Sequence, residues 1–107
     1  SVYEKDAPRC NPEILDMGLP VLGLCYGHQL IAQIVGGKVE PAVHKEYGKA
    51  TAVIDHPVGV LLGLGIEEQV WMSHGDTVLE LPGDYETLAH SENTPMAAFR
   101  NKKKPVY

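Results

Sequence analysis

The stretch Gly23-Leu24-Cys25-Tyr26-Gly27 constrains this chain more than any other. It has the form G-x-C-x-G. An unbroken apolar run, Leu19-Pro20-Val21-Leu22, leads into it. Beyond it, Leu30, Ile31 and Ile34 recur at helical spacing, and Gly36-Gly37 closes the pattern. The succession reads as strand, tight turn, helix from Gly27 to Val35. Apolar runs of this kind suit a strand buried on both faces, as in a parallel sheet. The predicted class is α/β, with a mixed, mostly parallel sheet flanked by helices.

The flanks are read in the same way. Asn11-Pro12-Glu13 looks like a helix start, with Asn as N-cap and Pro at the first helical position, and Gly18 looks like its end. After Gly37 come short strand candidates at residues 38–40, 50–54, 69–72, 85–89 and 96–99. Pro57, Gly65, Pro82-Gly83 and Pro95 punctuate them. Lys102-Lys103-Lys104 reads as a solvated loop, and Pro105-Val106-Tyr107 as the beginning of a strand. No linker-like stretch divides the chain, so residues 1–107 are read as one domain.

Composition excludes several functions. Nine Lys and Arg face 14 Asp and Glu, a net charge of −5. A chain with no basic surplus is poorly suited to a phosphate backbone, so no nucleic-acid partner is expected. No apolar run approaches the roughly 18 residues of a spanning helix, so no membrane partner is expected either. Two cysteines, Cys10 and Cys25, do not make a disulfide scaffold. Their use fits a reducing compartment, and a cytoplasmic location is expected. The His and Cys residues lack paired ligand spacing, so no metal site is predicted. Neither a P-loop nor a G-x-G-x-x-G occurs, so no nucleotide cofactor is expected on these residues.

The chemistry converges on Cys25. A G-x-C-x-G turn between strand and helix is the cysteine form of the nucleophile elbow. The turn holds the nucleophile in a strained conformation, and Gly23 and Gly27 let the neighbouring backbone pass closely. At a helix N-terminus, unpaired N–H groups and the helix dipole favour a thiolate over a thiol. The Tyr26 N–H, next after the nucleophile, can point at a developing oxyanion. Cys10 lies outside any such turn and reads as incidental. A cysteine nucleophile also needs a base. His28, three residues along the helix, lies one turn away and suits that role poorly. His44, His56 and His90 carry no motif. His74, in Ser73-His74-Gly75-Asp76, follows a strand and reads either as part of a site or as a polar turn. The residues alone thus offer a nucleophile and no convincing base.

Gly23-Leu24-Cys25-Tyr26-Gly27-His28-Gln29 resembles the elbow of class I, triad-type glutamine amidotransferases, and within that family the GMP synthetase branch. Glu46-Tyr47-Gly48-Lys49-Ala50, Val70-Trp71-Met72-Ser73-His74-Gly75-Asp76, Ser1-Val2-Tyr3 and Pro95-Met96-Ala97-Ala98-Phe99 are similar to stretches of the same branch, in the same order. The resemblance implies that Cys25 attacks the side-chain amide of L-glutamine, that the Tyr26 N–H stabilises the oxyanion, and that a glutamyl thioester is hydrolysed. It implies that Gln29, Ser73, His74, Gly75 and Asp76 hold glutamine's amino and carboxylate groups. The ammonia would serve a synthetase (ATP pyrophosphatase) domain or subunit, which uses ATP and Mg to aminate XMP to GMP.

In that family the base and its orienting carboxylate come from a His-Pro-Glu motif. It follows a strand that begins like Pro105-Val106-Tyr107. The other oxyanion donor comes from a Gly-Gly-Pro stretch before Ser-Val-Tyr. Neither motif occurs in this sequence. The expectation is an internal piece of the amidotransferase domain, truncated at both ends and inactive alone. Two other readings share the elbow: a non-catalytic interaction module that keeps it as scaffold, and another α/β-type cysteine hydrolase.

Overall fold

A computed structural model describes residues 1–107. Four strands form one sheet: β1 (Lys38–Ile54), β2 (Glu67–Glu80), β3 (Tyr85–His90) and β4 (Ala98–Asn101), in the spatial order β2-β1-β3-β4. Every pairing between them is antiparallel. The one α-helix, α1 (Tyr26–Ile34), precedes the sheet in sequence.

The expected parallel pairing is present but short. Val21 forms a parallel bridge with Val106. The Val21 N–H donates to the Pro105 carbonyl, the Tyr107 N–H to Val21, and the Gly23 N–H to Tyr107, each at 2.8 Å. Pro105-Val106-Tyr107 therefore does run as an extended segment beside residues 21–23, and Val106 is fully buried. The sheet as a whole is not mostly parallel, and the apolar run is not buried on both faces: Leu19, Leu22 and Leu24 are exposed. The segment alternates instead, Val21 half-buried and Leu22 out, because 105–107 is its only strand partner. A continuous apolar run cannot reveal how many neighbours it has.

The other boundaries follow local chemistry. Asn11 caps a short 3-10 helix, Pro12–Asp16, by accepting from the Glu13 N–H at 3.0 Å. The candidates 38–40 and 50–54 are the two ends of a single 17-residue strand. Lys102, Lys103 and Lys104 are exposed, as expected of a solvated loop, and the Asn101 side chain accepts from the backbone N–H of Lys103 and Lys104.

One core joins helix and sheet. Ile31 and Ala32 of α1 pack with Leu15, Val78, Tyr85, Phe99 and Val106. Tyr85 meets Phe99 edge-on with centroids 5.8 Å apart, a geometry that aromatic quadrupoles favour. A smaller cluster of Ala52, Ile54 and Ala89 lies where β1 meets β3. No helix is long and apolar enough to cross a membrane.

β1 and β2 carry one large irregularity. Pro41 pairs with Asp76 and Glu46 with His74, so the intervening residues 42–45 stand opposite Gly75 alone. Bulges re-aim side chains and recur beside functional sites. This one falls within the sequence Ser73-His74-Gly75-Asp76. These four residues are strand, not turn. Gly and Asp favour turns intrinsically, but the ladder from Glu46↔His74 to Val53↔Glu67 continues through this region and overrides that preference.

Candidate active site

Cys25 is the only non-glycine residue with positive φ, at φ 54° and ψ −108°. Such backbone costs on the order of 1–3 kcal/mol and persists only where its surroundings over-determine it. Here they do. Residues 21–23 are bonded to 105–107 before the turn, and Gln29 N–H donates to the Cys25 carbonyl after it. Neither the Cys25 N–H nor the Tyr26 N–H has a partner within the protein. Both are free donors at the start of α1, and Cys25 is exposed.

Gly23 and Gly27 flank the turn for different reasons. A Cβ on Gly23 would lie 2.6 Å from Ile31 Cδ1 and 2.7 Å from the backbone of Gly27. A Cβ on Gly27 would meet nothing within 4 Å. The close approach expected of both glycines is thus required only of Gly23. Gly23→Ala should destabilise by about 1–3 kcal/mol through overpacking against backbone. Gly27→Ala should be neutral or stabilise by up to about 1 kcal/mol through helix propensity. Urea unfolding of the two variants measures the contrast.

Beside Cys25 lies a cavity of about 330 Å³ lined by Gln29, Ser73, His74 and Asp76 and also by His28 and Thr77. Most of the sequence-predicted site residues therefore meet in one place, from α1 on one side and β2 on the other. Two do not line it. The Tyr26 side chain turns away and donates to the Pro8 carbonyl at 2.7 Å, leaving only its backbone near the turn. Gly75 stands opposite the bulge, and a Cβ there would point toward Lys45 and Tyr47. Cys10 is free and exposed, away from this cavity.

The histidines separate on geometry. His28 stacks on Phe99 with centroids 4.5 Å apart. Burial pushes its pKa down to about 4, the nearby His74 adds to the effect, and the Met96 backbone opposes it. It is a weakly basic, neutral ring at pH 7. His74 has both nitrogens engaged: Nδ1 lies 2.8 Å from the Asp76 carbonyl oxygen and Nε2 3.1 Å from Glu46 Oε1. His74 thus has no free nitrogen for a proton from Cys25, and His28 binds one only weakly.

Sequence reading missed three functional neighbours. Glu46 is buried and accepts from the hydroxyls of Ser91, at 2.8 Å, and Thr94. Thr77 Oγ1 is buried on the cavity wall with no partner in the protein, so it is available to a ligand. The side chain of Asp76 accepts from the Tyr3 hydroxyl at 2.9 Å. No spacing rule connects Glu46 with Ser91 and Thr94, or Tyr3 with Asp76, and nothing in the sequence marks the hydroxyl of Thr77 as unpartnered. No group of three or more His, Cys, Asp or Glu residues is placed to hold a metal ion.

A strained cysteine elbow opening on a polar cavity between one helix and a sheet defines a class, and comparison gives it a family. The class-I glutamine amidotransferase family model matches residues 1–107, and the chain belongs to that family. Among curated relatives it is 50% identical to the glutamine-hydrolysing GMP synthase of Thermosynechococcus vestitus and 48% identical to that of Synechocystis sp.. Each match covers all of this chain and 20% of the relative, so the chain spans about one-fifth of their length. Among solved structures it is similar to a protein from Thermoplasma acidophilum described as a GMP synthase subunit, with TM-score 0.85 and 36% identity over 88% of this chain and 47% of that one. A glutamine amidotransferase from Thermotoga maritima matches with TM-score 0.80 and 25% identity, over 88% and 40% respectively. The fold expected from the resemblance is thus the observed one, although this stretch of it is mainly antiparallel.

Proposed function

We propose that this chain is the nucleophile-bearing part of a glutamine-hydrolysing domain that supplies ammonia for GMP synthesis. The observation that carries the reading is Cys25 at φ 54°, at the start of α1, open to the cavity that Gln29, Ser73, His74 and Asp76 line. In this reading Cys25 Sγ attacks the side-chain carbonyl of L-glutamine. The Tyr26 N–H meets the oxyanion, the tetrahedral adduct expels ammonia, and water then cleaves the glutamyl thioester to glutamate. Gln29 and the Ser73-His74-Gly75-Asp76 strand segment hold the amino and carboxylate groups, Gly75 through its backbone.

The thiol proton must reach the leaving amine. In the family this chain resembles, a His-Pro-Glu motif carries that proton, and we assign the transfer to such a motif; His74 has no free nitrogen and His28 is a weak base. The partner is a synthetase domain or subunit that aminates XMP. ATP and Mg act there. The two free cysteines accord with a cytoplasmic protein.

The test is direct. Full-length protein incubated with glutamine should release glutamate and ammonia in equal amounts. Acid quenching should trap a glutamyl adduct on the peptide that holds Cys25. Absence of ammonia release, or an adduct on another residue, would sink the assignment.

A further inference from the structure

Glutamine recognition uses the cavity face of His74, but the ring also has a rear face. His74 Nδ1 faces the Asp76 carbonyl, which can only accept. Nδ1 therefore carries a proton. Nε2 faces Glu46 Oε1, and that carboxylate already receives the hydroxyls of Ser91 and Thr94. Donors directed at a carboxylate favour its ionised form. Nε2 is thus enclosed by Glu46 Oε1 at 3.1 Å and the Thr94 hydroxyl at 3.4 Å. The ring is held at both nitrogens, one of them against a buried carboxylate.

The placement of the pair gives it a direction. His74 and Thr94 line the Cys25 cavity, whereas Glu46 does not. Glu46 is fixed from two other segments: it sits on β1, while Ser91 and Thr94 lie in the connection after β3. Removing one partner of such a pair leaves an uncompensated buried charge.

We propose that Glu46 is a positioning residue of the glutamine site: held by Ser91 and Thr94, it fixes the orientation of the His74 ring on the wall of the cavity that takes the substrate. Burial pushes the Glu46 carboxyl upward, but hydrogen bonds from Thr94, Ser91 and His74 together outweigh it and hold the carboxyl below the usual range. Of the other ionisable groups at the ring, His28 on α1 is neutral and Asp76 on β2 is tied to Tyr3. Glu46 touches no reacting atom in this scheme. It acts through His74, on substrate recognition rather than on the chemical step.

Selective ¹⁵N-histidine labelling of the full-length protein tests the ring, with the His74 signals identified by their loss in His74→Gln. The His74 nitrogen signals of Glu46→Gln should differ clearly from those of the wild type, because the carboxylate that holds Nε2 is gone. Steady-state glutamine hydrolysis tests the consequence. Glu46→Gln should raise KM at least tenfold with kcat within threefold, and Glu46→Asp should recover part of the KM. Because the role deepens the glutaminase reading, the two can fail separately. A wild type that does not hydrolyse glutamine removes that reading, while the ¹⁵N spectra still decide whether Glu46 holds the ring. An unchanged His74 spectrum in Glu46→Gln, or a fall in kcat with KM unaltered, overturns the role proposed for Glu46. If Glu46→Gln does not fold, Ser91→Ala and Thr94→Val each remove one donor to the carboxylate and keep the pair. Each should raise KM severalfold, and unchanged KM in both overturns the proposal.

Discussion

Replacing Cys25 by alanine in the full-length protein should reduce glutamine hydrolysis by on the order of 1,000-fold or more, the scale on which removal of a covalent nucleophile acts. Glutamine affinity should change only a few-fold, because the cavity that holds the amino acid is lined mainly by other residues. If the parent protein aminates as proposed, amination driven by added ammonium salt should survive, since in that reading the nucleophile serves only to release ammonia from glutamine. Cys25→Ser should also be severely impaired, because a serine hydroxyl is a much weaker nucleophile than a cysteine sulfur. Backbone strain provides an internal control. Cys25→Gly relieves the positive φ that alanine retains. The glycine variant should be equally inactive yet more stable than the alanine variant by roughly 1–2 kcal/mol. Ammonia release, glutamine calorimetry and urea unfolding on the same three variants would check each part. Retention of more than a few per cent of glutaminase activity in Cys25→Ala would remove Cys25 from the chemistry.

The strand-turn-helix unit is legible in the sequence because each of its signals is local. Glycines mark its corners, and Ile31 falls on the buried face of α1, against Gly23. The capping Asn11 and the extended segment 105–107 are legible for the same reason. What cannot be read are properties of pairing. The run 19–24 looks identical whether it has one neighbour or two. Ser73-His74-Gly75-Asp76 has turn-forming composition, and only the opposing strand β1 keeps it extended. Glu46 attracts attention in sequence only as part of a family-like stretch. Its role depends on Ser91 and Thr94, brought to it across the β1–β3 pairing at Val53↔His90 and Ile54↔Ala89. The nucleophile is encoded within five residues, whereas the group behind the cavity is assembled from three separate segments of chain.

His28 should make the fold acid-sensitive well above the carboxylate range. Its ring is neutral in the folded protein down to about pH 4, against an ordinary value of 6.5, chiefly because burial penalises the charged form. Between these values the unfolded chain binds a proton that the folded chain does not. Stability therefore rises with pH across this window and is lost as pH falls from 6.5 toward 4. The difference corresponds to on the order of 3 kcal/mol in full, of which about 2 kcal/mol should be gone by about pH 5. Glu46 extends the loss to lower pH: its folded value is depressed, so its contribution is present above the ordinary carboxylate value and disappears as pH falls through the folded one. His28→Gln removes the titrating ring, together with its contact on Phe99. It should be less stable at pH 8, yet its stability should vary much less between pH 8 and 5. The slope, not the absolute stability, separates titration from lost packing. Urea unfolding of both proteins at half-unit pH intervals gives that slope, and parallel curves would assign the acid sensitivity to other groups.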